Sequence, residues 1–172
     1  KTDGFYVLTG CTERPKAIIA NGGYMVLDDQ NVSMGFPLMI NTNMIKQSTL
    51  YTATPLTTLL ATVNEYNELV SIKNALGFND VQAMFEDDNN TRDLQRTLNS
   101  FFIEAQESGV NLNNFADFTA DFRDMIIKAG KQENGLATVK AAKKKMQDDF
   151  DQNASKYLNK YGVVFSGFVT ST

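Results

Sequence analysis

Three side chains in the last quarter of the chain have the spacing of metal ligands. Asp149, Asp151 and Asn153 occupy alternate positions, as do the first ligands of an EF-hand calcium loop. The sequence then departs from that loop, because Ala154 stands where the sharp turn needs glycine. Lys160 likewise stands where a bidentate glutamate completes the coordination. We therefore predict no metal site at these residues and no cofactor for the chain.

Histidine, the residue that most often acts as a catalytic base and as a metal ligand, is absent from the chain. The chain has no histidine and one cysteine, Cys11, which excludes Ser-His-Asp and Cys-His arrangements and the common zinc sites. The 20 acidic residues show no spacing that selects two of them as a catalytic pair. We predict no catalytic residues and no enzymatic activity. Cys11 is predicted to be a small buried residue, with an interchain disulfide as the alternative.

The charge pattern bears on the partners that the chain could bind. The 172 residues carry a net charge of −4, and no basic face is evident that could neutralise several phosphates. The basic run Lys143–Lys145 is soon followed by aspartates and is predicted to be a solvated helix face. The acidic loop Glu86–Asn90 is predicted to be a solvated capping loop, with a weak structural cation as the alternative. We predict no nucleic-acid partner. We also predict no membrane span, since no apolar run approaches roughly 18 residues.

Three asparagines have the spacing of N-glycosylation acceptors. Each has serine or threonine two positions after it and aspartate two positions before it. The asparagines are Asn31, Asn89 and Asn153, and the aspartates are Asp29, Asp87 and Asp151. This pattern resembles the acceptor of bacterial periplasmic N-glycosylation, in which the acidic residue is required. The resemblance implies an exported protein that carries a glycan on at least one exposed asparagine. Asn153 is predicted to lie inside a helix, where glycan transfer would need local opening.

The N-terminal residues also concern export. Leu8–Cys11 match the sequence at which bacterial lipoproteins are cleaved and lipidated, but the preceding apolar stretch is short and Asp3 interrupts it. Lipidation is therefore the weaker hypothesis. Because the chain starts at Lys1 rather than methionine, we expect that a signal peptide or a larger upstream region has been removed. The predicted location is extracellular or at the cell surface.

A junction at Thr52–Leu60 divides the chain into a strand-rich part and a helical part. Thr54 is a good helix N-cap, and Pro55 fits the first helical position, where its missing N–H costs nothing. Leu56, Leu59 and the apolar residues after them follow at helical spacing. The region 1–53 is predicted to form a small antiparallel sheet. Its candidate strands are Phe5–Thr9, a hairpin of Ala17–Ala20 with Tyr24–Leu27, Phe36–Ile40 and Ser48–Thr52.

Helices are predicted throughout 54–161, and the strand period returns in 162–172. The predicted helices start at Pro55, at Val81 after the cap Asp80, at Thr91, at Asn113 or Asn114, and at about Gly135. The first ends at about Asn67, with Leu76 as the alternative end, and the last reaches about Lys160. Their aromatic stripes are predicted to be core. The predicted class is therefore α+β, with an N-terminal sheet, a C-terminal helical bundle and a closing C-terminal strand. That strand either returns to the sheet or is donated to a neighbouring molecule.

The junction has a further resemblance. The run Thr54-Pro55-Leu56-Thr57-Thr58-Leu59-Leu60, followed by a helix that ends in Ala75-Leu76-Gly77, is similar to a module of large bacterial secreted adhesins and surface lipoproteins. In that module a short β-region, with a start like Thr9-Gly10-Cys11, leads into the helices. The resemblance covers about residues 9–108. It implies an extracellular, non-enzymatic protein and carries over no catalytic residues.

Two functions remain open from the sequence. The first is a structural or adhesive surface protein that assembles with other copies of itself, as the subunit of a filament or coat. Strand exchange would provide the contact, and the candidate residues are Phe5, Val7, Val163, Phe165 and Phe168. The alternative is a secreted module that binds a small ligand or a glycan in a cleft between sheet and helices. Its candidate binding residues are Tyr24, Tyr51 and Tyr66.

Overall fold

The computed structural model describes residues 7–27, 29–33, 35–48, 50–86 and 88–161. Strands come first and helices follow, so the predicted α+β class is confirmed. The strands are β1 (Ala17–Ala20), β2 (Tyr24–Leu27), β3 (Gln30–Ser33) and β4 (Leu38–Asn41). The helices are α1 (Pro55–Leu60), α2 (Tyr66–Leu76), α3 (Arg92–Glu107), α4 (Phe115–Ala129), α5 (Gly135–Gln152) and α6 (Ala154–Tyr161), with short 3-10 turns at Gln82–Phe85 and Asn89–Thr91.

The strands pair differently from the predicted hairpin. β1 pairs antiparallel with β4, and β2 pairs antiparallel with β3, so the predicted hairpin of β1 with β2 is wrong. Gly22 and Gly23, between β1 and β2, adopt a positive φ of 76° and 92°. The tight turn instead follows β2, where Asp29 has a φ of 61°. Both turns carry a local signal for positive φ, and the sequence between them does not decide which one closes a hairpin.

Three other predicted strands need correction. Residues 7–9 are not in a strand, while Phe5 and Tyr6 lie outside the described residues. Strand β4 starts at Leu38 and not at Phe36, in keeping with the missing N–H of the intervening Pro37. The described part of the predicted strand Ser48–Thr52 is irregular. The predicted closing strand 162–172 lies outside the described residues.

Two predicted long helices are interrupted. The first ends at Leu60, and a non-helical segment separates it from α2, which stops at Gly77 in the left-handed conformation, as predicted. The last predicted helix is broken at Asn153, which has a φ of −132° and a ψ of 42° between α5 and α6. The break places Asn153 outside regular helix.

The core joins the sheet to the helices. Phe36, which precedes β4, packs edge-on against Phe102 of α3 and stacks on Phe115 of α4, with ring centroids 5.3 and 5.6 Å apart. Ile40 of β4 is 1% exposed. The aromatic stripes of α3 and α4 are buried, as predicted. In the described part of the chain, every helix is too short or too polar to cross a bilayer.

Candidate functional site: the outer edge of the N-terminal sheet

Hydroxyl groups of helix α1 cover one edge of the sheet. Thr54 caps α1 by accepting from the Thr57 N–H at 3.1 Å, and the Thr57 hydroxyl accepts in return from the Thr54 N–H at 2.8 Å. The Met39 N–H of β4 donates to Thr58 Oγ1 at 2.9 Å, and the Thr57 hydroxyl donates to the Met39 carbonyl at 2.7 Å. Both outward backbone groups of Met39 are therefore satisfied by side chains instead of by a further strand.

The opposite edge of the same sheet belongs to β1. The Thr42 N–H donates to the Lys16 carbonyl at 3.0 Å, which makes this opposed pair a hydrogen-bonded one. Bonded and non-bonded pairs alternate in an antiparallel ladder, so Ile18 and Ala20 bond to β4. The backbone N–H and C=O groups of Ala17 and Ile19 then point away from β4. The bonding of Met39 to α1 agrees with this alternation, because Met39 is opposite Ile19.

No described strand pairs with this outer edge of β1, which we call the β1 edge. Its outward groups are two N–H donors and two C=O acceptors, the pattern that an added strand completes. Ile19 adds an apolar side chain that is 56% exposed. The strand sequence Ala-Ile-Ile-Ala carries no charge that would discourage pairing. The chemistry available at this edge is the binding of an extended backbone.

The residues predicted for strand exchange are only partly described. Val7 is 76% exposed and lies outside any strand. Phe5, Val163, Phe165 and Phe168 lie outside the described residues. The sheet residue that the structure adds to this set is Ile19, which sequence reasoning missed as a binding residue because the β1–β2 hairpin was expected to cover it.

The three glycosylation candidates lie in different local structures. Asn31 is exposed in β3 and is paired with Val26 in the ladder. Asn89 is exposed in a 3-10 turn, where its side-chain oxygen accepts from Arg92 at 3.2 Å. Asn153 is exposed at the α5–α6 break, and its amide group donates to Asp149 Oδ1 at 2.9 Å. The expectation that Asn153 sits within a continuous helix is therefore wrong.

A buried arginine joins three helical segments. Arg123 of α4 is 4% exposed and donates through Nη1 to the Leu59 carbonyl at 2.8 Å and to Thr62 Oγ1 at 2.9 Å. Its Nε lies 3.3 Å from Glu68 Oε1 of α2. The guanidinium thereby binds a carbonyl at the end of α1 and neutralises a nearby carboxylate. These contacts give Arg123 a structural role.

Helix α6 is held to the rest of the bundle by tyrosine–carboxylate contacts. The Tyr157 hydroxyl donates to Asp149 of α5, and the Tyr161 hydroxyl donates to Asp121 of α4. Burial, and then the hydrogen bond to a carboxylate, raises the pKa of both tyrosines above its usual range. The hydrogen bond from Tyr157 lowers the pKa of Asp149 below its usual value. Lys160 adds an ion pair with Asp121 at 2.8 Å.

A separate groove lies among the helices. It has a volume of about 500 Å³, and its lining includes the half-buried Phe78 and Leu136 with the acidic residues Glu86, Asp88 and Asp93. Its lining does not include any of the three tyrosines that were predicted to bind a ligand. Tyr24 and Tyr66 are exposed, and the Tyr51 hydroxyl accepts from the Ser48 N–H at 3.1 Å. The groove is thus not the predicted cleft between sheet and helices.

The described residues also bear on metal binding and on the environment of Cys11. Among them, no three histidine, cysteine or acidic side chains are grouped so as to hold a metal ion. Cys11 is exposed, so the prediction that it is buried is wrong. It lies in an irregular segment outside the core, where its small apolar side chain has no packing role.

Comparison of the chain with protein-family models, curated proteins and solved structures finds no match. The resemblance of Thr54–Leu60 to a module of bacterial adhesins and surface lipoproteins therefore stays a prediction. Any function has to be inferred from the chain's own residues.

Sequence reasoning assigned the threonines of α1 only in part. Thr54 was expected as the N-cap and is confirmed, whereas the bonds of Thr57 and Thr58 to β4 were not foreseen. The two adjacent threonines among leucines in a short helix could have indicated these bonds. β-branched polar residues are poor helix formers, and when they are buried they need a hydrogen-bond partner. Arg123 gave a similar signal, because it falls on the buried face of an aromatic-rich helix.

Proposed function

We propose that the protein is a non-enzymatic, extracellular structural or adhesive protein of bacteria that assembles with copies of itself. In this proposal it is N-glycosylated and serves as the subunit of a surface filament or coat. The contact between copies is the addition of a strand to a sheet edge. The β1 edge is the observation that carries the proposal.

An open strand edge favours assembly because its backbone groups remain available for pairing. Globular proteins usually cover such an edge or place charges and prolines along it. Here the threonines of α1 cover the β4 edge of the sheet, whereas the β1 edge has uncharged residues and the exposed Ile19. Backbone hydrogen bonds would supply affinity, and alternate side chains would supply specificity.

Sequence features support the proposed location and modification. Three asparagines have the pattern of bacterial acceptors, and the described structure leaves each of them exposed. The run Thr54–Leu60 is similar to a module of secreted adhesins. Histidine, the commonest catalytic base, is absent from the sequence, which favours a role without catalysis.

The experiment examines protein isolated from its native host. Electron microscopy should show filaments or sheets, and the intact mass should exceed the 19.1 kDa of the chain by the mass of a glycan. The variant Ile19→Pro removes one outward N–H of β1 and leaves the bonds to β4 in place, so it should reduce assembly and keep the helical circular dichroism. Leu158→Ala, which alters an exposed apolar residue on α6, is the matched control and should assemble normally.

A monodisperse monomer with the unmodified mass would contradict both the assembly and the glycosylation. Assembly that Ile19→Pro leaves unchanged would place the contact elsewhere on the molecule. Electron microscopy tests the assembly and the intact mass tests the glycosylation, so each part of the proposal can be contradicted without the other.

The groove beside Phe78 supports a second candidate function, the binding of a small ligand or a glycan. Its lining includes half-buried apolar residues, which offer contact area, and the acidic residues Glu86, Asp88 and Asp93, which offer hydrogen-bond acceptors. A thermal-shift screen should then find one ligand class that raises the melting temperature. The variant Asp93→Asn should reduce that shift. A screen without any such class would remove this candidate.

A further inference from the structure

We infer that the β1 edge is complementary to itself and binds the β1 edge of a second copy, antiparallel, with Ala17 of each copy opposite Ile19 of the other. A two-fold axis then passes between the two Ile18 residues, and the joined sheet has the order β4, β1, β1, β4. The inference rests on the proposed assembly of copies and names the strand, register and symmetry of one contact within it.

The donors and acceptors of the β1 edge set the direction of the pairing. Ala17 and Ile19 each present one N–H and one C=O outward. An antiparallel pair bonds two opposed residues to each other, so each outward residue has to face an outward residue of the second copy. Two copies of one strand that pair in this way exchange identical contacts, which is two-fold symmetry. A parallel pair has slanted bonds and is slightly less stable per residue.

Residues on either side of the outward pair select one register. With Ala17 opposite Ile19, each copy donates two N–H groups and accepts through two C=O groups, which makes four interstrand hydrogen bonds. With Ala17 opposite Ala17, Ile19 would face Pro15, which has no N–H and whose carbonyl already accepts from the Thr42 hydroxyl. With Ile19 opposite Ile19, Ala17 would face Asn21, which lies beyond the end of β1. Of these registers, the first uses every outward group of both strands.

The side chains of β1 agree with this register. On the outer face of the sheet, the exposed Ile19 would lie beside the exposed Ala17 of the second copy. On the inner face, the two Ile18 side chains, which pack against the core, would meet at the axis. They would form a non-hydrogen-bonded pair, in which side chains come closest. The pairing thus brings apolar side chains together on both faces of the joined sheet.

The charges next to the strand do not oppose one another in this arrangement. Lys16 is the charged residue nearest to Ile18 in the sequence, and it would face Ala20 of the second copy. The two Lys16 residues would lie four positions apart along the joined strands, which is about 13 Å. This separation exceeds the screening length of about 8 Å at physiological salt, so their repulsion is weak.

The two-fold symmetry also limits what this contact can build. A two-fold contact is complete with two molecules, so the β1 edge produces a dimer and not a chain of copies. The joined sheet ends in two β4 edges, where the outward groups of Met39 are already bonded to Thr57 and Thr58. A filament or coat would therefore be built from these dimers through a second contact elsewhere on the molecule.

Single cysteines test the register in the full chain. In a Cys11→Ser background, Ala17→Cys, Ile18→Cys and Ile19→Cys are oxidised separately at a concentration where sedimentation shows association. Ile18→Cys should form the interchain disulfide at least about tenfold faster than the other two. Its opposed Cα atoms would be about 4.5 Å apart, within the range of about 4.4–6.8 Å that a disulfide spans. The residues at positions 17 and 19 would each lie diagonal to their own copy, at about 7–8 Å, and Ile19→Cys is the matched control because Ile19 is exposed.

Amide hydrogen exchange of the unmodified chain provides a second measurement, which decides the matter if Ile18→Cys does not fold. The Ala17 and Ile19 amides should exchange at least about tenfold more slowly where the dimer predominates than where sedimentation shows monomer. The Ile18 and Ala20 amides bond to β4 in both states and serve as controls within the same strand.

Three outcomes would overturn the inference. Faster linking of Ala17→Cys or Ile19→Cys would assign another register, and equal linking of all three variants would indicate random collision. Protection of the Ala17 and Ile19 amides that does not change with concentration would mean that the edge is covered within one molecule. A chain that stays monomeric at every attainable concentration would show that the edge binds no second copy.

The same measurements separate this contact from the proposed function. Filaments in which Ile18→Cys does not cross-link would leave the proposed assembly standing and overturn the β1 contact. Cross-linked Ile18→Cys dimers without larger assemblies would support the β1 contact and contradict the proposed filament or coat.

Discussion

The Met39 N–H of strand β4 donates to the Thr58 hydroxyl of helix α1 at 2.9 Å. Thr58 in turn donates to the Thr54 carbonyl at 2.7 Å, so one hydroxyl serves both the sheet and its own helix. Thr58 is 1% exposed, and water cannot replace the bond. The outward backbone groups of Met39 at the β4 edge are therefore already hydrogen-bonded to side chains. Of the two edges of this sheet, the β1 edge is the one that offers backbone groups to a further strand.

Replacing Thr58 should destabilise the fold even when the new side chain has the same size. Thr58→Val keeps the shape and removes the hydroxyl that accepts from the partly buried Met39 N–H, at a cost of about 1–3 kcal/mol in the free energy of unfolding. Urea denaturation followed by circular dichroism measures the loss. Thr58→Ser retains the hydroxyl and is the matched control, so an equal loss in both variants would show that methyl packing, and not the hydrogen bond, matters.

Replacing Arg123 tests the contact between α4 and the end of α1. Arg123→Met keeps most of the apolar stem but removes the donors to the Leu59 carbonyl and Thr62, which should lower the free energy of unfolding by about 2–3 kcal/mol. Denaturant unfolding gives the value. Glu68→Gln is the control for the ion pair, since Glu68 is partly exposed and its replacement should cost less. Similar losses in the two variants would assign the effect to the charge pair instead.

Local signals in the sequence identified several helix boundaries but missed the end of α1 at Leu60 and the break at Asn153. Thr54, Gly77 and Asn114 lie at helix boundaries, as expected, because caps depend on residues three or four positions apart. The same local reasoning could not choose the strand pairs. β1 joins β4 across the whole β2–β3 hairpin, and only the finished core, through Ile40 and Phe36, distinguishes this pairing from the hairpin.

The candidate site was less predictable than the fold. The β1 edge differs from the β4 edge because α1 covers the β4 edge, and that contact joins residues 18 and 19 positions apart. Arg123 meets partners 55 to 64 residues away. Composition and spacing indicate that such polar residues need partners, but they do not name the partners.

Alkaline pH should loosen helix α6. Tyr157 and Tyr161 have a pKa raised above the ordinary 10.0 because burial and a neighbouring carboxylate favour the neutral phenol. Their contribution is complete below pH 10.0 and is lost as the pH rises through the higher folded-state pKa. Unfolding free energies measured between about pH 8 and 12 should fall, and Tyr161→Phe should flatten that fall. Tyr66→Phe, at an exposed ring on α2, is the control and should leave the slope unchanged.

Acidic pH should act on the same helix through Asp149. The hydrogen bond from Tyr157 lowers the pKa of Asp149, so its contribution to stability is present above the ordinary value of 3.8 and is lost as the pH falls through the folded-state value. Tyr157→Phe should reduce the pH dependence of stability below about pH 4. Carboxylate titration by NMR would show the matching rise in the pKa of Asp149. An unchanged Asp149 titration in Tyr157→Phe would contradict the assignment of the shift to this hydrogen bond.

Asn153 should carry more glycan than Asn31 or Asn89. It ends α5 in a non-helical conformation, so presenting it to a transferase requires the loss of its bond to Asp149 and little helix opening. Asn31 would have to leave the β2–β3 ladder. Peptide mass spectrometry of protein made in a host with a bacterial N-glycosylation system measures the three occupancies. Asp151→Ala, which removes the exposed acidic residue two positions before Asn153, should lower occupancy there alone; equal occupancy in Asp151→Ala and the parent chain would contradict a bacterial-type acceptor.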